Sequence, residues 1–461
     1  MDKVKNLSIV IMAAGKGTRM KSKLPKVLHK AAGKSMLDHV IDSAIKLNPS
    51  KILVIVGFEA QTVINSYDNR FPITWVEQKE QLGTGHAVMQ VIPHLKDYNG
   101  EIMLLSGDVP LLSTSTMLQI LKSHQENNSH CTILTTVIDN PYGYGRIIKN
   151  ENNHVTKIVE QKDATDFEKT VREINSGTYC FNWKNLEKYL LQLTPQNAQG
   201  EYYLTDTIQM FVGNNLKVNS FITNDMNQIL GVNDRLTLSK IARIMKNQIN
   251  ENLMMSGVTI IDPETTYIDA NIEIGADTTI YPNTIIEGKS VIGESCLLGP
   301  NTHIVNSIID NNCEIVYSSV SDSEIGDSTK VGPFARIREH AKINKNCKIG
   351  NFVELKKTVF SEGVKASHLA YLGDADLGKN TNIGAGTITC NYDGKKKHKT
   401  TIGENVFVGS NSTLVAPITL ETDSYIAAGS VITETVHTYD LAVGRARQKN
   451  IENWVLRKKE K

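Results

Sequence analysis

The apolar run Ser8–Ala14 ends in Gly15-Lys16-Gly17-Thr18-Arg19-Met20, a glycine-bearing passage from strand to helix. Backbone N–H groups of such a turn can wrap a polyphosphate, and Arg19, Lys21, Lys23 and Lys26 follow closely. The stretch is neither Gly-x4-Gly-Lys-Ser/Thr nor Gly-x-Gly-x-x-Gly, so a tight turn with a solvated basic helix start accounts for the same residues. A second apolar run, Ile102–Gly107, delivers Asp108 to the end of a strand, where a Mg²⁺ on a nucleotide needs a carboxylate. An Asp there also serves as a helix cap or turn former. Its company is Gln81-Leu82-Gly83-Thr84-Gly85, Tyr142–Arg146, Glu160 and Glu173–Gly177. A third candidate is His368, in Lys365–Asp374. Acyl transfer from a thioester to an amine needs a base titrating near neutrality, which histidine supplies, although a lone histidine is more often structural or simply exposed. Arg338, Lys356 and Tyr371 suit a sugar phosphate. The basic loop Asn391–Lys399 reads as a solvated face.

Two kinds of element must position these groups. From 1 to about 230, the apolar runs Ser8–Ala14, Lys51–Gly57, Ile102–Gly107 and Cys131–Ile138 read as buried parallel strands. Between them, Met36, Leu37, Val40, Ile41, Ala44 and Ile45 mark one face of a helix, and Met117–Leu121 follows a Ser/Thr cluster suited to capping. The alternation predicts an α/β fold with a mostly parallel sheet, which binds ligands beyond the C-terminal ends of its strands. Residues 234–254 predict one long, mostly polar connecting helix.

From 255 the period becomes six. Ile268, Ile274, Ile280, Ile286, Ile292, Leu298 and Ile304 keep it, as do Ile325–Leu355 and Ile402–Ile432, often with a following glycine. This is the signature of a parallel β-helix of hexapeptide repeats, of about ten coils. The glycine is expected to let the chain turn a corner. Residues 356–376 and 384–401 lose the period and are expected to be inserted loops or shifted coils. In the tail, Trp454 is expected to dock and Arg457-Lys458-Lys459 to be solvated.

The 461 residues are 40% hydrophobic with 32 glycines, and 50 basic against 49 acidic residues leave a net charge of +1. That balance excludes a global field for nucleic acid or anionic membrane. Met1–Asn6 carries two lysines, but the following apolar stretch is too short for a signal peptide or a membrane span. Six cysteines at irregular spacing, with no Cys-x-x-Cys, argue against a disulfide framework or zinc site and for free thiols in a reducing, cytoplasmic setting.

Together these motifs resemble the sugar-nucleotidyltransferase family, and over essentially the whole chain they resemble the bifunctional uridyltransferase/acetyltransferase family of UDP-N-acetylglucosamine synthesis. The resemblance implies a Rossmann-like nucleotidyltransferase domain at 1–233, a linker helix at 234–254, and a left-handed β-helix acetyltransferase domain with a C-terminal tail at 255–461. It implies acetyl transfer from acetyl-CoA to glucosamine 1-phosphate, then uridylyl transfer from UTP to the product with release of pyrophosphate, feeding cell-envelope polysaccharide synthesis. Met12, Ala13, Ala14, Gly15, Arg19 and Lys26 match nucleotide- and phosphate-binding positions, and Gln78, Gly83 and Thr84 match uracil-reading ones. Gly145, Glu160 and Asn175 match positions that hold the N-acetylglucosamine moiety. Asp108 and Asn233 match Mg²⁺ ligands. His368 matches the acetyltransferase base; Arg338, Lys356, Tyr371 and Asn382 match the glucosamine 1-phosphate site, to which Lys397 is a looser addition. Ala385, Asn391, Tyr392, Ser410, Ala428 and Arg445 match the acetyl-CoA lining. Met12 and Ser106 replace residues common in the family, with no charge lost. A cytoplasmic homotrimer follows from the same resemblance. The alternative is a monofunctional sugar-1-phosphate nucleotidyltransferase whose β-helix only assembles or regulates.

Overall fold

Strands buried on both faces need apolar residues at every position, and the first unit is built around such runs. The computed structural model describes residues 6–69 and 71–459. Lys3, Lys5 and Lys461 lie outside the described residues. Strands Leu7–Ala13, Lys51–Val56, Glu101–Ser106 and Cys131–Val137 form where the apolar runs predict them, with Ile9, Val10, Ile11, Leu53 and Leu104 wholly buried. The sheet runs Val218–Ile222, Cys131–Val137, Glu173–Asn182, Glu101–Ser106, Leu7–Ala13, Lys51–Val56, Ile73–Glu77.

Most neighbours are parallel, but Glu173–Asn182 lies antiparallel between Glu101–Ser106 and Cys131–Val137. This strand is bulged between Asn175 and Tyr179, where Gly177 takes φ +78°, a conformation that side chains rarely adopt. Helix Met36–Ile45 buries the predicted apolar face, and its first turn is capped by Ser35 Oγ, which accepts from Asp38 N at 3.0 Å. Ser113 Oγ caps Thr114–Glu126 in the same way, at 3.1 Å from Thr116 N.

The helix expected at 234–254 spans Arg235–Met255, and the chain divides into two compact units within it, between Met245 and Lys246. In the first unit Ile241 and Met245 pack with Met20, Met36 and Val232. In the second, buried Asn250 donates to Pro263 O at 3.1 Å and to Thr266 O at 3.2 Å. The helix is therefore anchored by specific residues at both ends.

The second unit is a β-helix with three faces, carrying parallel sheets of 11, 10 and 9 strands among the described residues. Each strand pairs with the one a coil later: Ile280 with Leu298, Leu298 with Ile315. The six-residue aliphatics point inward and are buried, save for partly buried Ile274.

Three expectations are sharpened or corrected by the structure. Residues 356–376 are shifted coil, one of the two expected alternatives, and not an inserted loop: Phe360 stands over Ile343, Ala366 over Ile349 and Leu372 over Leu355. A phenylalanine and an alanine fill two aliphatic seats there, and a five-residue side separates Leu372 from Leu377, so the period is disguised. Of 384–401, Ile388–Cys390 stays in the ladder, and the loop 391–399 is the true insertion. Gly299 and Gly332, with φ +94° and +105°, do turn the chain as expected, but most glycines after the aliphatics serve a different purpose. A Cβ on Gly275 would lie 2.6 Å from the Gly293 carbonyl carbon, and one on Gly409 2.5 Å from Ala428 N, so they permit close stacking of coils. Left-handed corners fall instead mainly to residues such as Asn283, Asn301 and Asn411. Trp454 is half exposed on Trp454–Lys459, a helix with no buried residue, rather than docked.

Candidate active sites

At the C-terminal end of Leu7–Ala13 the turn opens into a cavity of about 380 Å³, lined by Met12, Ala13, Ala14, Gly15, Lys26, Gln78, Gly83, Thr84 and Asp108 among others. The turn is held by Gln81, which also lines the cavity and whose Nε2 donates to Ala14 O at 2.8 Å. Gln78 is buried and its Nε2 lies 3.3 Å from Gly83 O and 3.1 Å from His86 Nδ1. Gly83 has φ +114°, and a Cβ there would meet Tyr202 O at 2.6 Å, so the loop around Tyr202 fixes this wall. Leu204 N in turn donates to Thr84 Oγ1 at 3.1 Å.

Lys26 Nζ pairs with Asp108 Oδ2. Val232 N donates to Asp108 O at 2.9 Å, which brings Asn233 alongside, and Arg19 donates to Asn233 Oδ1 at 3.1 Å. One carboxylate and one amide oxygen thus face cationic groups, a hard-oxygen pair whose chemistry fits Mg²⁺. Gly145, Glu160 and Asn175 also converge: Asn175 N donates to Gly145 O at 2.9 Å, and a Cβ on Gly145 would lie 3.4 Å from Glu160 Oε1. Burial pushes the Glu160 carboxyl above its ordinary value, while Thr205 Oγ1, 3.3 Å away, partly offsets this. The segment 201–205 thus ties Glu160 to Thr84, a link for which the sequence carries no motif.

Another cluster escaped sequence reasoning. Glu101, His124 and Cys180 bring potential metal-ligating atoms within 4.8 Å of one another, yet they come from three separate elements. His124 is already bonded on both nitrogens, to Glu101 Oε2 and Thr132 Oγ1 at 3.0 Å each. The cluster sits at the start of Glu101–Ser106, about 20 Å along the strand direction from Asp108.

On the β-helix the candidate residues fall into two columns. His368 stands in register with Asn351 one coil before. The pairings Ala366–Ile383, Ile383–Val408 and Val408–Ile426 carry the same edge on through Ala385, Ser410 and Ala428. Asn411 N donating to Ala385 O at 2.7 Å and Gly429 N to Ser410 O at 2.8 Å hold that edge together. Arg445 ends it: a Cβ on Gly429 would be 3.9 Å from its Cδ. His368 is exposed at the head of this column of small residues.

On the neighbouring face Arg338, Lys356 and Gly373 stack in register, with Glu354 and Tyr371 beside them. A Cβ on Gly373 would lie 2.5 Å from the Tyr371 hydroxyl and 2.7 Å from Asn391 Nδ2, so two predicted positions crowd one spot. Asn391 also donates to Asp374. The loop carrying Tyr392 returns Lys397 to Lys356, whose ammonium lowers the Lys397 amine below the ordinary lysine value, while Glu339 holds the Lys356 ammonium above it. Asn382 is one coil further on from Lys365 and one before Phe407, beside the His368 edge. All six cysteines are free thiols. Among the described residues no helix is long and apolar enough to cross a membrane.

Residues 8–252 match the nucleotidyl transferase family. Residues 322–357 match the bacterial transferase hexapeptide (six repeats), and 399–434 the hexapeptide repeat of succinyl-transferase. The chain is 48% identical over 446 residues to the bifunctional protein GlmU of Geobacillus sp. (strain WCH70), covering 97% of each chain. It is 47% identical over 456 residues to that of Clostridioides difficile (strain 630), covering 99% of each. Against that of Nostoc sp. (strain PCC 7120 / SAG 25.82 / UTEX 2576) it is 49% identical over 440 residues, covering 95% of this chain and 96% of the other.

Proposed function

Since the chain belongs to the family of bifunctional GlmU proteins, we propose that it carries out both steps that turn glucosamine 1-phosphate into UDP-N-acetylglucosamine. Functionally, 1–233 is the uridyltransferase, 234–254 the linker helix and 255–461 the left-handed β-helix acetyltransferase with its tail. The observation that supports this assignment is that Lys26 pairs with Asp108 and Arg19 with Asn233 in the first unit, while Arg338 and Lys356 stack in register in the second.

In acetyl transfer, the sugar amine attacks the thioester carbonyl of acetyl-CoA. His368 accepts the amine proton as the C–N bond forms, and the coenzyme A thiolate leaves and is protonated. Arg338, Lys356 and Tyr371 hold the sugar phosphate, with Asn382 beside the base. Ala385, Asn391, Tyr392, Ser410, Ala428 and Arg445 line the acetyl-CoA channel, where small side chains leave room for its thin arm.

In uridylyl transfer, a phosphate oxygen of N-acetylglucosamine 1-phosphate attacks the α-phosphorus of UTP, and the bond to the β-phosphate breaks to release pyrophosphate. The protein supplies position and positive charge. Met12–Gly15, Arg19 and Lys26 hold the phosphates, Gln78, Gly83 and Thr84 the uracil, and Gly145, Glu160 and Asn175 the sugar. Asp108 and Asn233 would hold Mg²⁺, which when bound neutralises developing negative charge.

We further assign a cytoplasmic homotrimer. Free thiols and cytoplasmic co-substrates support the location. Support for assembly comes from Tyr317, Phe334 and Phe352, stacked at 5.8 and 5.4 Å on one β-helix corner and roughly half exposed, an apolar ridge suited to another copy of the chain. The test is thiol release from acetyl-CoA with and without glucosamine 1-phosphate, followed by UTP addition. Sugar-dependent release and then UDP-N-acetylglucosamine are expected. Uridylyl transfer alone would reduce the β-helix to an assembly domain.

A further inference from the structure

The carboxylate of Glu339 is bound by the two cations assigned above to the sugar phosphate. Arg338 and Lys356 are in register on successive coils. Glu339 pairs with one terminal guanidinium nitrogen of Arg338 and, at 3.2 Å, with Lys356 Nζ. The rest of the guanidinium edge is taken by Glu354, whose Oε1 accepts from Arg338 Nε at 2.7 Å and lies 2.7 Å from the second terminal nitrogen. A phosphate at these cations therefore competes with a carboxylate for their donors.

The two carboxylates differ in freedom. Glu354 lies within a strand, in register with Arg336 before it and Tyr371 after it. Glu339 and the following His340 lie outside the strands, at a corner, with φ +54° and +65°. Glu339 can therefore leave without disturbing a ladder. Desolvation works against its charge, but Lys356 and Arg338 outweigh this and hold its carboxyl below the ordinary glutamate value.

We propose that Glu339 is an internal anion seated where the phosphate of the sugar substrate binds, and that it sets the affinity of that seat for phosphate monoesters. This rests on the assignment of Arg338 and Lys356 to the glucosamine 1-phosphate site. A phosphate monoester near neutrality carries more charge than one carboxylate and more acceptor oxygens, so it displaces Glu339 at a cost in affinity. An uncharged sugar gains nothing from the exchange. Glu339 acts on the substrate through Arg338 and Lys356 and is a positioning residue.

The experiment measures, on the full chain, the KM for glucosamine 1-phosphate in acetyl transfer and the inhibition constant of inorganic phosphate against it. Wild type is compared with Glu339→Gln, Glu339→Asp, Arg338→Met and Lys356→Met, and thermal melting reports the folding of each. Glu339→Gln is expected to lower both constants about three- to ten-fold, the scale of one partly exposed ion pair. Glu339→Asp is expected to return them toward wild type. If Glu339→Gln leaves both constants unchanged or raises them, while Arg338→Met and Lys356→Met raise KM, the proposal is overturned and the phosphate seat stands. If neither cation variant raises KM, the seat is wrongly assigned and the proposal falls with it.

Discussion

Arg19 donates to the side-chain oxygen of Asn233 at 3.1 Å, across 214 residues of sequence. The first phosphate-directed turn and the last segment of the nucleotidyltransferase unit are thereby one piece of structure, and Asp108, bonded through its carbonyl to Val232, completes it. The proposed metal pair depends on chain closure as much as on either residue.

Asp108→Asn is expected to lower uridylyl transfer at least about a hundred-fold while acetyl transfer continues, because the carboxylate lost is the proposed holder of the Mg²⁺ used by one reaction only. Separate assays of the two half-reactions on one preparation check this. Equal loss of both would contradict the division of labour.

His368→Ala is expected to abolish acetyl transfer and spare uridylyl transfer. The residue is exposed, so its removal leaves no cavity, and an unchanged melting temperature should accompany the loss. Acetyl transfer within a few-fold of wild type would remove the histidine from the mechanism.

Gly409→Ala places a Cβ 2.5 Å from Ala428 N, a backbone atom that cannot step aside. About 1–3 kcal/mol of destabilisation is expected, confined to the β-helix. Heat inactivation resolves it: acetyl transfer should fail at a lower temperature than in wild type, with uridylyl transfer unaffected.

Glu168 is bound to Lys157 Nζ at 2.8 Å and accepts from Thr165 N at 2.9 Å within a capping box, which lowers its carboxyl from 4.5 to about 2. Because the folded value is the lower one, the stabilisation is fully present above pH 4.5 and is lost as pH falls toward 2. With Lys157 partly in solvent, about 1–2 kcal/mol is expected. Glu168→Gln should be less stable than wild type by that amount at pH 7, and the gap should narrow across this window in thermal melts. A gap independent of pH would point to the capping hydrogen bonds alone.

What the sequence disclosed follows from what burial demands. Leu7–Ala13 and Glu101–Ser106 are apolar throughout because both faces are covered, and Asp108 is conspicuous because it ends such a run. Glu173–Asn182 was hidden by polar residues at its bulge, where the candidate Asn175 sits. On the β-helix, Phe360 and Ala366 fill seats that elsewhere hold isoleucine, so a search for branched aliphatics loses the coils that carry His368. Lys356 and Arg338 were legible as cations. Their capture by Glu339 and Glu354 was not, because stacking of coils creates neighbours that spacing along the chain does not announce.

The edge that runs from His368 through Ala385 and Ser410 to Ala428 advances by one strand spacing per coil, about 4.8 Å, or about 14 Å over its three steps. The β-helix is thus a ruler graduated in whole coils. The distance from the proposed base to the Arg445 end of the channel cannot be tuned continuously. It changes only when a coil is gained or lost, and each such event moves the far end by one graduation while leaving the chemistry at His368 untouched. Under the proposed assignment, a cofactor arm of fixed length selects the number of coils, and the proposed substrate side, on the adjacent face, remains free to vary residue by residue.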